Sequence, residues 1–555
     1  MPKAQEIVRR ILKSRGLSGA AAECFFSPQL ERDLHNPMLL PDIKPALKRL
    51  LQAQQRQEPV VVYGDYDIDG LCATTLLLRA FKEFGINATA FIPDRFEQGY
   101  GLNQEALVEL IKDGAKLVVT VDCGTTATAQ IKWAAQQGLD IIVTDHHEPG
   151  SELPQEAVAV VNPKRADSKY PFRELAGAGV AFKLVQAMQT VSGGIKAGSE
   201  RWLLDLVAFA TVCDVVPLLD ENRTLAHFGL QLWPKTRWPG LKALMLTAGI
   251  RGDDVNATTL GYVFGPRLNA AGRIEHAQLA LNLLTADKLQ PALDYAAQLE
   301  ELNRRRRAEQ TKIEQAVLLA LASGNDEPVI ILADADWSHG VVGIVASRIM
   351  ERTSKPTFLL QLLADGTAKG SARSFGGFDI AKALGHTSQL LISGGGHAAA
   401  GGLTLKAARI ELFKQKILAY HGSLKLVGQS GLLKPRPDLK LSDLADVDLE
   451  LVDEIGRLEP FGQGNPRPLF QIQPLSVLSV RSMGQTAQHC RLVLRDSRSA
   501  TIEAVMFNAD KKPKIGQRLV VMATVQANDF GGRRRAELVL KSWQLISKVA
   551  TPPLM

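Results

Sequence analysis

Acidic side chains and two histidines follow apolar runs at four places in the chain. They are Asp65, Asp67 and Asp69 after PVVVYG, Asp122 after KLVVTV, Asp145, His146 and His147 after IIVT, and Asp214 within AFATVCDVVP. Alternate residues of an extended chain point the same way, so the three carboxylates of GDYDIDG can face one side. Carboxylates suit Mg²⁺ or Mn²⁺, and an added imidazole shifts the preference toward Mn²⁺. The pattern therefore predicts a site for divalent metal ions.

The charge of this set limits the chemistry that it can perform. Several carboxylates in one cleft repel one another and raise their pKa values unless a cation neutralises them. Two divalent ions, about 3.5–4 Å apart in sites of this kind, are the simplest solution. Such a pair lowers the pKa of a bound water and stabilises the attacking and leaving oxygens. The expected reaction is phosphoester hydrolysis.

Each of these residues taken alone has a simpler interpretation. An Asp at a strand end is commonly a helix cap or a turn residue. His147 could be a core histidine or could orient a ligand, and Asp145 is expected to orient or cap rather than to bind a metal. The combination of the residues favours a metal site over these separate interpretations.

The segments that carry these residues alternate between strand-like and helix-like patterns. β-Branched runs at 59–67, 88–94, 116–124, 139–147 and 157–163 are separated by stretches with helical periodicity. This alternation predicts βαβ units in a doubly wound, mainly parallel sheet of the α/β class. Ligands of such sheets bind outside the carboxyl ends of the strands, where three of these runs place Asp or His.

The rest of the chain divides into further units. A long connecting helix is expected first, then a second α/β unit, and short alternating runs near the C-terminal end predict an OB-like β-barrel. The predicted boundaries are an N-terminal region at 1–50, a catalytic α/β domain at 51–275, the connecting helix at 276–327, the second domain at 328–425 and the barrel at 426–555.

The composition excludes several classes of protein. The chain has 555 residues, 46% hydrophobic and 22% charged, which excludes a wholly disordered or fibrous protein. Residues 476–555 contain 13 Lys and Arg against 5 Asp and Glu, so the barrel is expected to bind a polyanion.

The five cysteines form no CxxC pair, which predicts a reducing, cytoplasmic location. No membrane span is predicted, because Asp205 and Asp214 interrupt the most apolar stretch.

Several motifs, in their order and spacing, resemble those of the DHH phosphoesterase superfamily. DYDIDG, VDCG, TDHH and VCDVVP resemble its catalytic domain, and GPRLNAAGR, WSHGVVGIVASR, SARS and GGGHAAAGG resemble its DHH-associated domain. The resemblance covers residues from about 50 to 410, and the basic barrel also fits. Within the superfamily the chain is most similar to the bacterial exonucleases that degrade single-stranded DNA from the 5′ end.

The resemblance implies roles for the residues of the acidic cluster. It implies that two divalent metal ions, Mn²⁺ or Mg²⁺, are bound by Asp65, Asp67, Asp69, Asp122, His146 and Asp214. Asp122 would bridge the two ions, and His147 would contact the scissile phosphate or the nucleophilic water. The residues expected to be catalytic are Asp69, Asp122 and His147.

A second group of residues is predicted to bind the phosphates of the substrate. Consecutive glycine N–H groups can form an anion nest, and arginine can bind phosphate through two hydrogen bonds. With the resemblance, these features assign substrate contacts to Arg95, Arg267, Asn269, Arg273, Ser338, His339, Arg348, Ser371, Arg373, Gly394, Gly395, Gly396 and His397. A turn or helix packing is the alternative for the glycines, and a plain surface position is the alternative for Arg95. The run Arg304–Arg307 is expected to be a solvated helix face, although it could border the DNA path.

The barrel interleaves basic residues with aromatic ones. The Arg533–Arg535 triplet accompanies Phe507, Phe530 and Trp543. Basic residues that follow phosphates, together with aromatic rings that stack on bases, hold single strands without sequence preference. The aromatic side chains could instead belong to the barrel core.

The expected function is a metal-dependent 5′→3′ exonuclease that hydrolyses single-stranded DNA to 5′-mononucleotides, in DNA repair and recombination. Its direction and its preference for DNA come from the resemblance, because the residues alone indicate only phosphoester hydrolysis. The resemblance also implies two partners, a single-stranded-DNA-binding protein and a DNA helicase. The alternatives are a small-substrate phosphodiesterase of the same superfamily, for oligoribonucleotides or cyclic dinucleotides, and a non-catalytic replication scaffold. The basic barrel argues against the first, and the complete set of metal ligands argues against the second.

Overall fold

The fold contains three β-sheets joined by helices. The computed structural model describes residues 3–94, 101–191, 194–324, 327–424, 436–484, 487–509, 511–529 and 532–546. Within these ranges, no helix is both long enough and apolar enough to cross a membrane.

Four helices precede the first sheet. They are α1 (Lys3–Ser14), α2 (Gly19–Phe26), α3 (Leu30–Asp33) and α4 (Ile43–Arg56). Helix α1 is amphipathic, and its Val8, Ile11 and Leu12 are fully buried in the core of the C-terminal barrel. Just after α1, Arg15 Nε donates to Asp438 Oδ1 at 2.7 Å. The two ends of the chain therefore share one hydrophobic core.

The first sheet is parallel and covered on both faces. Its strands are β1 (Val60–Gly64), β2 (Ala88–Phe91), β3 (Leu117–Val121), β4 (Asp140–Thr144) and β5 (Ala159–Val161). The covering helices are α5 (Ile68–Phe84), α6 (Gln104–Lys112), α7 (Thr128–Gln136) and α8 (Gly177–Met188). The strand order is β2-β1-β3-β4-β5, and every residue of β1 and β3 is buried. The strand order changes direction between β1 and β3, which opens a crevice at their carboxyl ends.

Further helices complete the first domain and lead out of it. They are α9 (Leu204–Cys213), α10 (Asp220–Leu230), α11 (Pro239–Ala248), α12 (Ala257–Thr259), α13 (Gly265–Ile274), α14 (Gln278–Thr285) and α15 (Leu289–Ala322). Asp214 directly follows α9, so a helix rather than a strand presents this side chain to the crevice. Helix α15 is 34 residues long and connects the first domain to the second.

The second domain contains a mixed sheet. Its strands are β6 (Ile330–Asp334), β7 (Thr357–Leu362), β8 (Thr367–Arg373), β9 (Leu391–Gly396) and β10 (Ala400–Lys406), and its helices are α16 (His339–Thr353), α17 (Ile380–His386) and α18 (Ile410–Ser423). The strand order is β6-β7-β8-β10-β9, and only β6 and β7 pair in parallel. Helix α16 packs against α15 and against β7 and β8. Residues of α15, α16 and β8 therefore meet at the boundary between the two domains.

The C-terminal unit is a closed barrel. Its elements are β11 (Leu439–Leu441), α19 (Leu449–Gly456), β12 (Phe470–Met483), β13 (His489–Arg495), β14 (Thr501–Met506), β15 (Arg518–Asn528) and β16 (Arg535–Leu545). The order β12-β13-β14-β16-β15 closes through a pairing of β12 with β15. In β13, Leu492 and Leu494 are buried inside while Arg491 and Arg495 point outward.

These observations confirm the predicted fold class. The doubly wound parallel sheet, the long connecting helix, the second α/β domain and the C-terminal barrel are all present. The residue numbers of the predicted domain boundaries stay predictions. The sequence pattern does not indicate that α1 belongs to the barrel core.

We expect Ile11→Ala to loosen the barrel although residue 11 is over 400 positions away from it in the chain. Removing a fully buried Ile costs about 2–5 kcal/mol because a cavity remains. Amide hydrogen exchange should become faster in β12 and stay unchanged in β6. Arg10→Ala, at an exposed position of the same helix, is the control. Equal exchange rates in the two variants would contradict the shared core.

Candidate metal centre

Side chains from separate elements converge at the carboxyl ends of the first sheet. Nε2 of His146 lies 3.1 Å from Asp122 Oδ1 and 3.8 Å from Asp69 Oδ2. The same nitrogen lies 3.6 Å from Asp214 Oδ2. Three carboxylates thus surround one imidazole.

Asp122 belongs to two groups of candidate ligands. One ligand atom from each of Asp65, Asp67 and Asp122 lies within 4.8 Å of the others. Asp122 forms another such group with the rings of His146 and His147. A carboxylate shared by two ligand sets is placed to bridge two cations. The structure therefore brings the predicted metal ligands together, with Asp122 between the two sets.

Main-chain donors fix the carboxylate of Asp69. Its Oδ2 accepts a hydrogen bond from Gly177 N–H at 2.6 Å, and its Oδ1 accepts one from Ala178 N–H at 2.7 Å. These N–H groups open α8 and lack partners within the helix, so they suit a carboxylate. A Cβ on Gly177 would lie 2.8 Å from Asp122 Cβ, so glycine permits this close approach. Sequence patterns assign no role to either donor, and the only signal is the run of small residues GAGVA.

Asp67 serves both a helix and the site. Its Oδ1 accepts hydrogen bonds from the N–H groups of Asp69 at 2.8 Å and Gly70 at 3.1 Å, so it caps α5. A Cβ on Gly70 would overlap the backbone of Asp65, so glycine lets the GDYDIDG segment fold back on itself. Because a carboxylate has a second oxygen, the cap and the metal-ligand interpretations of Asp67 are compatible.

Asp145 orients the neighbouring histidines, as expected from the sequence. Its Oδ1 accepts from the main-chain N–H groups of His146 at 2.7 Å and His147 at 3.1 Å, and its Oδ2 accepts from Thr125 N–H at 2.9 Å. Nδ1 of His147 lies 2.7 Å from Asp145 Oδ1. Burial lowers the pKa of His147, but this hydrogen bond and the charge of Asp145 outweigh it and raise the pKa. Asp145 therefore fixes the orientation of the His147 ring through Nδ1.

Burial and mutual repulsion change the pKa values of the carboxyl groups. Burial and the charge of Asp67 raise the pKa of Asp69 to about 7. Burial and the charges of Asp69 and Asp67 raise the pKa of Asp214 to about 9. Burial and repulsion by neighbouring carboxylates raise the pKa of Asp122 well above its usual value. A bound cation would reverse these shifts, because an opposite charge favours the ionised carboxylate.

The imidazole of His146 fits a metal ligand. The residue is 7% exposed, and burial lowers its pKa to about 4, so the ring is neutral near pH 7. Among the described residues, neither ring nitrogen has a hydrogen-bond partner of good geometry. A buried neutral imidazole without such a partner, facing three carboxylates, has the donor set that a divalent cation satisfies.

Two residues of the centre adopt the left-handed backbone conformation. The angle φ is 60° at Asp122 and also 60° at Val215, which follows Asp214. This conformation costs about 1–3 kcal/mol for a residue other than glycine, so surrounding contacts must maintain it. The N–H of Asp122 donates to Thr144 O at 3.0 Å, which extends the pairing of β3 with β4.

Part of the predicted phosphate-binding group lies in a cleft between the first two domains. A cavity of about 480 Å³ there is lined by residues that include Arg273, Ser338, His339, Arg305 and Gln361. His339 N–H donates to Gln361 Oε1 at 2.9 Å, which fixes the start of α16. Three of the predicted substrate contacts therefore share one cavity.

The run Arg304–Arg307 is not a uniform solvated face. Arg305 lines the cleft cavity. Arg306 is 8% exposed, and its guanidinium donates to the side chains of Asn303 and Gln310. The prediction of a solvated face is therefore wrong for Arg306, because α15 turns that residue toward its packed side.

Ser371 and Arg373 lie next to each other on one side of β8, beside α16. Arg373 Nε donates to Ser347 Oγ at 3.0 Å. A Cβ on Gly343 would lie 3.1 Å from Ser371 Oγ and 3.2 Å from Arg373 Nη2, so this glycine brings α16 close to both side chains. A hydroxyl and a guanidinium that lie next to each other suit a phosphate. Their contact with substrate stays a prediction.

Two other predicted contact residues pair with acids of α15. Arg267 Nε lies 2.6 Å from Glu300 Oε2, and Arg348 Nη1 lies 3.2 Å from Glu314 Oε2. Both pairs join α15 to a neighbouring helix. Asn269 is half-buried on α13. The substrate roles of these three residues stay predictions.

The glycine run forms a strand rather than a loop. Gly394, Gly395 and Gly396 belong to β9, the edge strand of the second sheet, and pair with β10. An anion nest needs a turn-like backbone, which an extended strand does not supply. The contact of these glycines with substrate stays a prediction. His397 follows in the exposed hairpin, and its N–H donates to Ala400 O at 2.8 Å. Arg95 lies outside the described residues.

The barrel carries a cavity lined by arginines and acids. Its volume is about 670 Å³, and its charged lining residues are Arg491, Arg533, Arg534, Arg535, Asp448, Glu503 and Glu537. Arg534 Nη2 pairs with Asp453 Oδ1 of α19 at 2.7 Å. Phe507 is 55% exposed and Trp543 is half-buried, whereas Phe530 lies outside the described residues. The exposure of Phe507 is compatible with base stacking.

Comparison with protein families divides the chain in the same way as the fold. Residues 59–211 match the DHH family N-terminal domain, residues 326–422 match the DHHA1 domain, and residues 438–542 match the RecJ OB domain. The single-stranded-DNA-specific exonuclease RecJ of Bacillus subtilis is 35% identical over 549 residues, which covers 97% of this chain and 68% of that protein.

Two crystal structures are also similar. RecJ from Thermus thermophilus in complex with Mn²⁺ superposes with a TM-score of 0.80 at 28% identity, covering 98% of this chain and 78% of that one. The same protein in complex with Mg²⁺ gives a TM-score of 0.74 at 26% identity, covering 98% and 77%. Both ions are ones that the donor set described above would bind.

We expect Gly177→Ala to weaken Mn²⁺ binding. The added methyl group would lie 2.8 Å from Asp122 Cβ and would push α8 and its N–H donors away from Asp69. Changes to groups that orient metal ligands typically reduce affinity or activity about 10- to 100-fold. Gly179→Ala in the same helix is the control. Its added Cβ would lie 3.4 Å from the nearest atom, in the Leu175 side chain, which is an ordinary van der Waals distance. Equal Mn²⁺ affinities for the two variants, measured by calorimetry, would refute the role of Gly177.

Mn²⁺ affinity should increase with pH. Asp69 and Asp214, with pKa values raised to about 7 and about 9, must release protons before they bind a cation. Affinity should therefore rise between pH 6 and pH 9, by about tenfold per pH unit for each proton released, and level off above that range. Calorimetry in two buffers of different ionisation enthalpy measures the released protons. An affinity that does not change with pH, without proton release, would contradict these pKa shifts.

Proposed function

Because this chain belongs to the family of RecJ single-stranded-DNA-specific exonucleases, we propose that it hydrolyses single-stranded DNA from the 5′ end to 5′-mononucleotides. We propose that the reaction depends on two divalent metal ions, Mn²⁺ or Mg²⁺. The single observation that carries this proposal is the convergence of Asp69, Asp122 and Asp214 on the neutral imidazole of His146.

Each residue of the metal centre is proposed to have a separate role in hydrolysis. Divalent cations bound there would lower the pKa of the attacking water and stabilise the leaving 3′ oxygen. Asp122 would bridge the two ligand sets. His147, whose Nδ1 contacts Asp145, would contact the scissile phosphate or the nucleophilic water. Asp69 is fixed by the start of α8, so it needs little reorganisation when the substrate arrives.

The cleft between the first two domains is proposed to receive the end of the DNA strand. Ser371 and Arg373 would bind the terminal phosphate, with Arg273, Ser338 and His339 lining the adjacent cavity. A terminal phosphate held at one fixed place sets the distance to the scissile bond and so favours release of single nucleotides.

The barrel is proposed to hold the strand farther along. The arginine triplet at 533–535 and the exposed ring of Phe507 have the two properties that bind single strands, positive charge and a stacking surface. The match to the RecJ OB domain favours this role over a small-substrate phosphodiesterase, which would need no such surface. The complete ligand set likewise disfavours a non-catalytic scaffold.

The setting of the reaction is part of the proposal. We propose action in the cytoplasm, in DNA repair and recombination, on strands that a DNA helicase exposes and a single-stranded-DNA-binding protein covers. The family membership and the widely spaced cysteines support this assignment.

Strands labelled at one end test the direction. A 5′-labelled single strand should lose its label at once as mononucleotide, whereas a 3′-labelled strand should shorten progressively, in the presence of Mn²⁺ or Mg²⁺. Duplex DNA and RNA of the same sequence should be degraded far more slowly. Immediate release of the 3′ label, or equal rates on a cyclic dinucleotide, would refute the proposal.

We expect Arg533→Ala combined with Arg535→Ala to flatten the salt dependence of binding. For a single strand, each phosphate that a Lys or Arg no longer neutralises reduces the slope of log affinity against log salt by about 0.7. Arg534→Ala is the control, because Asp453 already pairs with that guanidinium. Point variants are used because deleting the barrel would also expose the buried face of α1. An unchanged slope in the double variant would remove these two residues from the DNA path.

A further inference from the structure

The loop that follows Asp214 has a strained backbone. Asp214 N–H donates to Ala210 O at 2.9 Å and so closes the last turn of α9. The next residue, Val215, has a φ of 60° and is 65% exposed. Branched side chains disfavour this conformation, and a side chain in solvent does little to impose it. The loop continues through residues 216–219 to the start of α10.

A short hairpin of the barrel unit lies against those residues. We call residues 462–465 the barrel hairpin. Gly462 N–H donates to Asn465 O at 2.9 Å, and Asn465 N–H donates back to Gly462 O at 3.2 Å. The hairpin precedes β12, so it belongs to the C-terminal unit and not to the domain that carries the metal centre.

The barrel hairpin contacts the loop through main chain and through glycine. Leu218 N–H donates to the carbonyl oxygen of Gln463 at 2.7 Å. A Cβ on Gly462 would lie 2.7 Å from Leu218 Cδ1, and one on Gly464 would lie 3.2 Å from Pro217 Cβ. Leu218 is 1% exposed, so its side chain has little room to move away. The two glycines permit this direct contact.

The barrel hairpin is itself fixed to the two ends of the chain. Asn465 is 1% exposed, and its Nδ2 donates to Leu458 O at 2.8 Å and Pro460 O at 2.9 Å. Arg15, just after α1, donates from Nη1 to Asn465 Oδ1 at 3.0 Å. A series of contacts therefore runs from Arg15 through Asn465 and the barrel hairpin to Leu218, which lies four residues after Asp214.

We propose that the barrel hairpin positions Asp214 as a metal ligand, so that the C-terminal unit supports the metal centre in addition to holding DNA. Gly462 and the carbonyl group of Gln463 are positioning groups that act through Leu218, and Gly464 acts through Pro217. The inference rests on the proposed metal-dependent function, because the position of Asp214 matters only if it binds a cation. A shift of the loop would move Asp214 Oδ2 from its place 3.6 Å from His146 Nε2.

Gly462→Ala in the full chain is the test variant, since its methyl group would press on Leu218. Mn²⁺ binding is measured by the electron paramagnetic resonance signal of the free ion, without DNA. We expect the dissociation constant for Mn²⁺ to rise about tenfold. This is the lower end of the range of about 10- to 100-fold for changes to groups that orient metal ligands. Gly456→Ala is the matched control, because no atom lies within 4 Å of the added Cβ, and its Mn²⁺ affinity should equal that of the wild type.

A chain that already carries Asp214→Asn distinguishes an effect on the position of Asp214 from a general loss of structure. If the barrel hairpin acts through Asp214, Gly462→Ala should cause no further loss of Mn²⁺ affinity in a chain that already carries Asp214→Asn. The metal-free variant should still unfold cooperatively, at a lower melting temperature because of the added methyl group, and its affinity for a short oligonucleotide should match the wild type. Should Gly462→Ala fail to fold, Leu218→Ala, which removes the side chain that the hairpin contacts, should show the same non-additivity with Asp214→Asn.

Two results would overturn the inference while leaving the proposed function intact. They are a folded Gly462→Ala protein with wild-type Mn²⁺ affinity, and a tenfold loss that persists in the Asp214→Asn background. A wild-type chain that binds no Mn²⁺ would instead refute the metal-dependent function itself, and the inference with it.

Discussion

Repulsion among buried carboxylates is the constraint on which the rest of the structure depends. Asp69 and Asp122 are almost fully buried and face the half-buried Asp214 across one neutral imidazole. Without a cation, ionising these carboxyl groups so close together is unfavourable. Their pKa values are raised for this reason. Parallel strands that end at one edge bring the side chains together, and N–H groups at the starts of α5 and α8 hold Asp67 and Asp69 in place.

The three sheets supply different parts of one catalytic surface. The first presents the candidate acidic ligands, the second carries Ser371 and Arg373 beside α16, and the barrel adds the arginines at 533–535. The C-terminal unit also includes α1 from the opposite end of the chain. Because the barrel hairpin contacts the loop after Asp214, the barrel cannot be treated as an independent module attached to a complete enzyme.

Sequence reasoning locates the candidate metal ligands because each lies at the end of a strand or at a helix terminus, and local periodicity reveals those elements. It misses Gly177 and Ala178, because almost any residue type can supply a main-chain N–H donor and the side chain therefore does not reveal it. It also misses the place of α1, since amphipathicity shows that a face is buried but not against which partner. The run Gly394–Gly396 suggests an anion nest because glycine carries no periodic pattern, and only pairing with β10 identifies it as a strand. Arg267 and Arg348 carry the charge expected of substrate contacts, yet acids of α15 pair with them.

Electron paramagnetic resonance of the chain loaded with Mn²⁺ tests the central claim most directly. If Asp122 bridges two ligand sets, two equivalents of Mn²⁺ should bind and give the broad multiline spectrum of a spin-coupled pair. The Asp122→Asn variant, which keeps the shape of the side chain but loses its charge, should lose that coupling. Binding of a single ion, or two ions with the simple six-line spectrum of isolated Mn²⁺, would contradict the account of a bridged metal centre.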